Sequence, residues 1–446
     1  MTDATGAALA PVSGKARIDV LDMLRGLAIL GIFFMNIPFM GAQVSKLFLD
    51  PRLIGWAPLD QASWWGIQVV LEGTQRGLLE MLFGAGLMVF ARAAMTPDGP
   101  VAVADLYIRR NLWLLGFGIF DIFILLWAGD ILHIYALAAL LLFPFRRVGA
   151  KWLIVLGMGF ALYTAGTGAW RYAERSHLVE QAHAAEQKLA AHKPVSAEEK
   201  KALEDWRKKI EKLRSGGDEI KGIQAMEAKG HSGSFWAYAG MQIDVYQMFL
   251  WPEILKSVAE AFCMMLIGIA LWKWGVIQGQ RGAAFYLVLM LACYIPGMAL
   301  RVVGGFEYLS DVPGPKLMWL TQEFARMAVS VGHVALINLA VKGAAGRAIL
   351  SPFKAAGRMA FSLYFIQQII GIYILYAPWG AGLWGRQSWS DLAGTVLIVI
   401  AAQVLFANLW LRVFSAGPLE WLWRSLAYVR WQPFLKRESQ GQASAV

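Results

Sequence analysis

Three polar residues recur on one side of the first long apolar segment. This segment, DVLDMLRGLAILGIFFMNIPFM at residues 19–40, contains Asp22, Arg25 and Asn36. At about 100° per residue, their side chains project within about 60° of one another on a helix. Charged and amide groups are costly in hydrocarbon, so such a stripe faces protein, water or a ligand. The stripe is therefore a candidate functional surface.

A carboxylate and an imidazole lie three residues apart at the start of another apolar segment. Asp130 and His133 would share one face of a helix, and at about 1.5 Å per residue we expect them near the level of Asn36. An Asp that orients a His, which then takes a proton from an attacking hydroxyl or amine, forms a general base. An Asp that caps the helix and a His bonded to a neighbouring span would have the same spacing. The spacing leaves both interpretations open.

Polar residues also interrupt two further apolar segments. Glu72, Arg76 and Glu80 follow one another at i+4 positions, so a single Arg could satisfy the carboxylates in a structural ion network. In the alternative interpretation, Arg76 binds a ligand phosphate or carbonyl and Glu72 lines a substrate pocket. Gln367 and Gln368 form a polar pair halfway through FSLYFIQQIIGIYIL and are further candidates for pocket lining.

The bulk composition places the chain among membrane proteins. Of its 446 residues, 58% are hydrophobic and only 16% are charged, which is far from the average of soluble domains. The formal net charge of +10 favours anionic lipid head groups and anionic ligands. The histidines lack metal-ligand spacing, so we expect no metal site, and we expect no nucleic-acid partner.

The apolar segments predict an all-α polytopic membrane protein with about ten transmembrane helices. The predicted spans are residues 22–41, 64–94, 106–127, 130–145, 151–170, 247–273, 281–302, 322–342, 356–378 and 392–413. Lys and Arg concentrate in the short connections on one side, which predicts that this side and both termini are cytoplasmic.

This topology divides the chain into five parts. They are a cytoplasmic amino-terminal segment (1–21), the first five spans (22–170), an extracytoplasmic insert (171–246), the last five spans (247–414) and a cytoplasmic carboxy-terminal segment (415–446).

The insert changes abruptly to Ala, Glu, Lys and Gln, and it predicts a helical hairpin on the outer face. Its helices are expected at about 173–191 and 197–214, with Ser196 and Glu199 at the spacing of a capping box. A solvated spacer or lid and a segment that grips substrate are both consistent with this composition.

Several blocks of the sequence resemble the YeiB-like family. The first block is LDMLRGLAILGIFFMNI, which resembles the family pattern L-D-x-L-R-G-x-A-[IL]-x-G-I-x-x-M-N. The others follow in order: EMLFGAGL at 80–87, GDILHIYALAALLLFPFR at 129–146, GRMAFSLYFIQQ at 357–368 and GPLEWLWRSLAY at 417–428. The agreement extends over nearly the whole chain, and the insert is the part least covered.

The YeiB-like family is in turn similar to the wider transmembrane acyltransferases, which include heparan-α-glucosaminide N-acetyltransferase. This resemblance implies that a cytoplasmic acyl-CoA, for example acetyl-CoA, acylates an acceptor on the far side of a bacterial inner membrane. The stripe of Asp22, Arg25 and Asn36 would then line a passage for the CoA thioester. Arg25, Arg109 and Arg110 would meet the nucleotide, and Asn36 would polarise the thioester carbonyl.

The chain departs from these acyltransferases at the expected base. In the heparan enzyme the catalytic His lies in the outer loop shortly after the Asn, whereas the corresponding loop here, PFMGAQVSKLFLD, contains no His. His133 is the nearest replacement by predicted height.

Three functional hypotheses remain after the sequence analysis. The favoured one is an acyltransferase that modifies a small-molecule, glycan or lipid acceptor. A transporter or flippase could use the same stripe as a translocation path, but the chain shows no internal repeat and no paired broken helices. A membrane scaffold would instead recruit a partner through the insert. Membrane lipids are expected partners in each case, and a homodimer is compatible with all three.

Overall fold

The apolar segments fold into helices, because only a helix satisfies the backbone polar groups of a single segment in hydrocarbon. The computed structural model describes residues 18–91 and 101–436. Within these ranges the chain consists of helices and connecting loops, with an isolated antiparallel bridge between Phe414 and Leu435. The prediction of an all-α protein is therefore confirmed.

The helices that precede the insert, together with the one that enters it, are the following: α1 (Asp19–Gly31), α2 (Phe33–Gly41), α3 (Val44–Leu49), α4 (Pro58–Gly66), α5 (Thr74–Phe90), α6 (Val101–Phe123), α7 (Leu132–Leu142), α8 (Ala150–Gly157) and α9 (Gly159–Ala190). A π-helical segment, Ile67–Leu71, lies between α4 and α5.

The insert continues with α10 (Ala197–Ser215), α11 (Gly217–Gly230) and α12 (Phe235–Val245). The remaining helices are α13 (Ile254–Lys273), α14 (Ala283–Tyr308), α15 (Met318–Ala340), α16 (Ala344–Leu350), α17 (Phe353–Arg358), α18 (Ala360–Gln368), α19 (Trp389–Val413) and α20 (Pro418–Tyr428).

Within the described ranges, five helical units have the length and apolar composition of membrane spans, so the chain is a multi-pass membrane protein. They are Asp19–Gly41, Ala150–Ala190, Ile254–Lys273, Ala283–Tyr308 and Trp389–Val413. A bent pair, Met318–Ala340 with Ala344–Leu350, would make a sixth. Helices also occupy the other predicted spans, but they are shorter, interrupted or more polar. The total of ten spans therefore stays a prediction.

The buried core is centred on α1, α5, α7 and α13, whose inward side chains include the fully buried Leu24, Met81, Tyr135 and Met265. Helices α5 and α13 approach closely because small residues face their partner's backbone. A Cβ atom at Gly84 would collide with the carbonyl of Met265, and one at Gly268 would collide with the carbonyl of Met81. Small residues at such crossings allow dense packing between membrane helices.

The insert forms the predicted hairpin, and its predicted capping box is confirmed. Ser196 N donates to Glu199 Oε2 (3.0 Å), and Glu199 N donates to Ser196 Oγ (3.1 Å). The first helix of the hairpin differs from expectation, since α9 begins at Gly159 and runs without a break from an apolar span into the insert. The sequence pattern did not predict helices α11 and α12.

Helix α11 and the residue that follows it attach the insert to the bundle. The Glu227 carboxylate accepts hydrogen bonds from Val44 N and from Ser45 Oγ (2.6 Å) at the start of α3. The imidazole of His231 stacks on the Trp384 ring, with centroids 3.7 Å apart and an interplanar angle of 10°. The insert is therefore held at one end of the bundle by hydrogen bonds to Glu227 and by an aromatic contact.

Candidate functional site

Asp130 and His133 form a hydrogen-bonded pair inside the bundle. The pair is held by the sharp connection before α7, which lets the Asp130 side chain reach forward over the first turn. Asp130 Oδ2 accepts from His133 N (2.9 Å) and lies 2.7 Å from His133 Nδ1. The side chains are 0% and 7% exposed, respectively. Both interpretations of the spacing therefore apply to Asp130, which caps the helix and also orients the imidazole.

The second nitrogen of this imidazole is the chemically important atom. The imidazole of His133 is bound to Asp130 through Nδ1, and within the described residues it forms no other hydrogen bond. The ring edge packs against Tyr246, with ring centroids 5.9 Å apart. A carboxylate on Nδ1 fixes the tautomer in which Nε2 carries the free lone pair, so Nε2 can accept a proton.

Two further residues complete the surroundings of Asp130, and the sequence analysis did not identify them. Tyr364 Oη donates to Asp130 Oδ1 (3.4 Å), and Ile131 N donates to Tyr364 Oη (3.3 Å). Asp121 is fully buried beside Asp130 and Tyr364. In the described part of the chain neither Asp121 nor Asp130 forms an ion pair with Lys or Arg. His133 is thus the basic group that faces these carboxylates.

The predicted amides lie on neighbouring helices and have unused hydrogen-bonding atoms. Gln367 Nε2 donates to Ile29 O (3.2 Å) and to Gln403 Oε1 (3.0 Å). Within the described ranges, Gln367 Oε1, both amide atoms of Gln368 and Asn36 Nδ2 are buried without a hydrogen-bond partner. Buried polar groups are normally satisfied, so these atoms indicate a position for water or a ligand.

The packing of α2 on the segment after α18 aligns Asn36 with this glutamine pair. The Met40 side chain fills the space where a Cβ of Gly371 would lie. Asn36 precedes Met40 by one helical turn, and Gln368 precedes Gly371 by almost one turn. Asn36 and Gln368 therefore lie at a similar level on adjacent helices. Tyr364, which contacts Asp130, is one turn before Gln368.

The predicted arginine cluster lies toward the opposite end of α1. Arg25 Nη1 is 2.9 Å from Asp22 Oδ1, so these two stripe residues form an ion pair. Arg110 lies close enough to Arg25 for their charges to repel. Its guanidinium packs over the rings of Phe90 and Trp423 at 5.2 and 4.5 Å from the centroids. The structure thus brings Asp22, Arg25 and Arg110 to one region.

The carboxy-terminal helix positions the arginines of α6. Arg109 Nη1 donates to Ala427 O (3.3 Å), and Arg109 also pairs with Asp105. Trp423 Nε1 donates to Arg110 O (2.8 Å). Helix α20 therefore positions both arginines. The family-like block GPLEWLWRSLAY at 417–428 thus contacts α6, although it is far from α6 in the sequence.

Arg76 belongs to a different, buried ion network that joins three helices. Arg76 pairs with Glu80 (3.5 Å) and with Glu260 on α13. Arg326 on α15 pairs with Glu80 (3.4 Å), Glu260 (2.8 Å) and Glu323 (2.9 Å). These contacts match the structural interpretation of Arg76, and they separate it from the arginine cluster around Arg25.

Glu72 does not join this network, although its i+4 spacing suggested that it would. The π-helical segment ends at Leu71, and Gly73 has a φ of +69° just before α5 begins. Within the described residues Glu72 forms no ion pair with Arg76, although the two charges are close enough to attract each other. Instead, the backbone carbonyl of Glu72 accepts from Arg301 Nη2 (2.6 Å).

Sequence reasoning missed Asp121, Tyr364, Glu260 and Arg326. Each is a polar residue within an apolar run, and such residues in membrane helices are usually functional or paired. Asp121 and Glu260 could have been found by this rule. The partner of each residue lies on another helix, and only the tertiary structure shows it.

Comparisons with known proteins give matches along the whole chain. A family described as a protein of unknown function (DUF418) matches residues 271–430. The uncharacterized protein YxaH of Bacillus subtilis (strain 168) is 28% identical over 441 residues, covering 96% of this chain and 98% of that protein. The uncharacterized protein YeiB of Escherichia coli (strain K12) is 26% identical over 428 residues, covering 94% of this chain and 98% of that protein.

A third similar protein is an uncharacterized 39.9 kDa protein from the amylase 3' region of Bacillus acidopullulyticus. It is 23% identical over 434 residues, covering 96% of this chain and 99% of that protein. No solved structure matches the chain.

Proposed function

Because the chain belongs to the YeiB-like family, we propose that it is a membrane-embedded acyltransferase. In this proposal it moves an acyl group, acetyl in the simplest case, from a cytoplasmic acyl-CoA to an acceptor on the outer side of a bacterial inner membrane. Both termini would be cytoplasmic, about ten helices would span the membrane, and residues 171–246 would lie outside. The relatives' names state no activity, so the proposal depends on the chemistry of the site.

The observation that carries the proposal is the geometry of His133. Its Nδ1 lies 2.7 Å from Asp130 Oδ2, and within the described residues this is the one hydrogen bond that the imidazole forms. A buried imidazole can accept a proton when one ring nitrogen is hydrogen-bonded to a carboxylate and the other has an available lone pair. A purely structural His would be expected to have both ring nitrogens satisfied. His333 illustrates this case, because it contacts Tyr294 Oη through Nδ1 (2.7 Å) and Val70 O through Nε2 (3.0 Å).

In the proposed reaction the acceptor's hydroxyl or amine attacks the acyl carbon of the thioester. Its proton passes to His133 Nε2 as the new bond forms, and the carbon–sulfur bond breaks to release CoA as the thiolate. The Asp130 carboxylate stabilises the imidazolium, which then protonates the thiolate. Asn36 Nδ2, a buried donor without a partner, would hydrogen-bond the carbonyl oxygen as negative charge develops there.

The arginine end of α1 supplies chemistry that suits an anionic donor. Arg110 forms no ion pair with a carboxylate in the described residues and is held by aromatic rings. A guanidinium in that state can bind phosphate oxygens in a fork. Arg25 and Arg109 would add positive charge, while Asp22 would keep the Arg25 side chain oriented. Bound there, the donor would supply an activated acyl group as a thioester.

The distance between the two ends agrees with a donor that reaches across the bundle. Arg25 and Asn36 are eleven residues apart on α1 and α2, which corresponds to about 16 Å at 1.5 Å per residue. The unsatisfied amides of Gln367 and Gln368 would contribute to the acceptor pocket at the Asn36 end. Glu72 is a further candidate for this pocket, whereas the ion pairs of Arg76 favour a structural role.

The decisive experiment is calorimetric titration of the purified protein with acetyl-CoA at several salt concentrations. We expect measurable binding that weakens as salt rises, because exposed charges are screened over about 8–10 Å at physiological ionic strength. Arg110→Gln should weaken binding roughly tenfold or more through the loss of charge-assisted hydrogen bonds.

Arg52→Gln is the matched control, since Arg52 pairs with Asp50 and Asp311 far from the arginine cluster. It should leave acetyl-CoA binding unchanged. Thermal unfolding of each variant would show whether the fold is intact. Absence of heat, together with absence of thermal stabilisation at high acetyl-CoA, would contradict the proposal.

A further inference from the structure

A groove separate from the reactive stripe lies between α1, α5, α15, α16 and α19. Its volume is about 480 Å³. Most of its lining is aliphatic, including Leu27, Leu30, Leu336 and Ile400. Nothing in the proposed acyl transfer uses this groove.

The groove and the reactive stripe occupy opposite sides of α1. At about 100° per residue, Leu27, Leu30 and Gly31 centre on a direction roughly 160° from that of Asp22 and Arg25. A molecule in the groove would therefore be separated from the proposed donor passage by the helix itself.

One end of the groove lies at a sharp bend in the chain. Helices α15 and α16 meet at 117°, and a Cβ at Gly346 would collide with the carbonyl of Ala340. Because Gly346 permits this close approach, α16 folds back and closes one end of the groove with Ile349 and Leu350.

Basic residues surround this end. Lys342 Nζ donates to Gly279 O (2.7 Å), and Lys354 pairs with Asp19 (2.6 Å). Arg347 is exposed and forms no ion pair in the part of the chain that the structure describes. It is thus the basic side chain available to an anion at this end of the groove.

Polar side chains line the other end of the groove. Gln75 is 6% exposed and lines the groove. His333 lies at the same end, seven residues before Ala340 on α15. The apolar part is therefore about 10 Å long at 1.5 Å per residue, which fits within the roughly 15 Å of hydrocarbon in one leaflet.

We propose that this groove binds one acyl chain of an anionic membrane phospholipid, with the phosphate at Arg347. The side chains around an empty apolar groove would lack dispersion contacts. In a bilayer, lipid chains are the apolar molecules that can fill it. The bilayer is as apolar as the groove, so selectivity must come from packing and from the head group. A basic residue near the surface favours an anionic lipid by about fivefold.

The test is photocrosslinking in nanodiscs with phosphatidylglycerol that carries a diazirine at mid-chain. Mass spectrometry would map the adducts, and phosphatidylcholine with the same labelled chain would report the effect of the head group. We expect labelling of α1 and α15 above that of the exposed face of α19 around Ala402. Arg347→Gln should remove the preference for phosphatidylglycerol, a loss of about fivefold.

Ala340→Phe would fill the groove and should abolish the excess labelling, whereas Ala402→Phe adds the same ring on an exposed face and should not. Leu336→Phe is a second filling variant in case Ala340→Phe lowers the melting temperature. Labelling that is uniform around the bundle, or that neither filling variant changes, would overturn the proposal. Labelling of the groove below that of α19, with crosslinks between chains, would also overturn it by indicating a second copy as the occupant.

Discussion

At the scale of single residues, the two histidines inside the bundle differ in one respect that bears on function. Both ring nitrogens of His333 have hydrogen-bond partners, whereas in the described part of the chain only Nδ1 of His133 has one. Both imidazoles are buried against aromatic rings. The free Nε2 of His133 therefore distinguishes a proton acceptor from a packing residue.

His133→Ala should lower acyl-transfer turnover by roughly 10²–10⁴-fold and leave acetyl-CoA affinity nearly unchanged. A general base acts in the transition state and contributes little to binding the donor. Steady-state kinetics of product formation and calorimetry on the same preparation would measure the two effects separately.

His177→Ala is the control for this substitution, because His177 is exposed in the insert. It should keep full turnover. If His133→Ala also keeps full turnover, the imidazole is structural. The base would then be a carboxylate such as Glu72 or Asp130.

At the scale of helices, the ion network of α5, α13 and α15 is a structural joint. Arg326 contacts three carboxylates from three helices, and its side chain is 6% exposed. Removing one member of a buried ion network leaves uncompensated charge, which costs more than the loss of a surface pair.

Arg326→Met should lower the free energy of unfolding by about 3 kcal/mol or more. The matched substitution Arg52→Met removes an ion pair at a solvent-exposed site and should cost about 1 kcal/mol or less. Chemical or thermal unfolding in one detergent would compare the two. Equal losses would show that the network contributes no more than a surface pair.

The contact between the insert and the bundle should respond to pH through His231. Burial lowers the pKa of His231 from its ordinary value of 6.5, so the neutral ring is favoured while the insert is attached. Its contribution to attachment is therefore fully present above pH 6.5 and is lost as the pH falls through the lowered pKa. Hydrogen exchange of α11, corrected for intrinsic rates, should show weaker protection under acidic conditions.

Glu227 acts in the opposite direction and must be separated from His231. Burial raises the pKa of Glu227 above its ordinary 4.5, so its contribution is fully present below that value and is lost as the pH rises through the raised pKa. The measurement is therefore best made in a Glu227→Gln background. There, His231→Phe keeps an aromatic stack on Trp384 and should abolish the pH dependence. A persistent dependence would refute the role of His231.

At the scale of the whole molecule, the distribution of Lys and Arg predicts how the bundle is oriented. The long insert carries charges of both signs, while the short connections on the other side are rich in basic residues. Short basic loops are retained in the cytoplasm, whereas long loops cross regardless of charge.

A single cysteine introduced at Ala191 should be labelled by a membrane-impermeant maleimide in intact cells. Ala191 follows the end of α9 at the tip of the insert hairpin and is exposed. A cysteine in the carboxy-terminal segment should react only after the cells are opened. The reverse pattern would show that the orientation is wrong.

The sequence by itself determined which segments become helices and which residues are unusual within them. Hydrophobic periodicity located the apolar helices, the Ser196 capping box predicted the start of α10, and the three-residue spacing placed Asp130 beside His133. These are local relations, since helix geometry fixes which neighbours within one turn can touch. They could be derived without knowing any contact between helices.

The tertiary structure decided which distant residues meet. Across a break at Gly73 that no i+4 rule anticipates, it left Glu72 and Arg76 without an ion pair in the described residues. It brought Arg326 into contact with Glu80. It placed Asp121 and Tyr364 beside Asp130. It also packed α20 against the arginines of α6. Such contacts depend on how helices rotate and cross, which the combined packing of many side chains sets. Spacing along one helix contains no information about the partner that faces it.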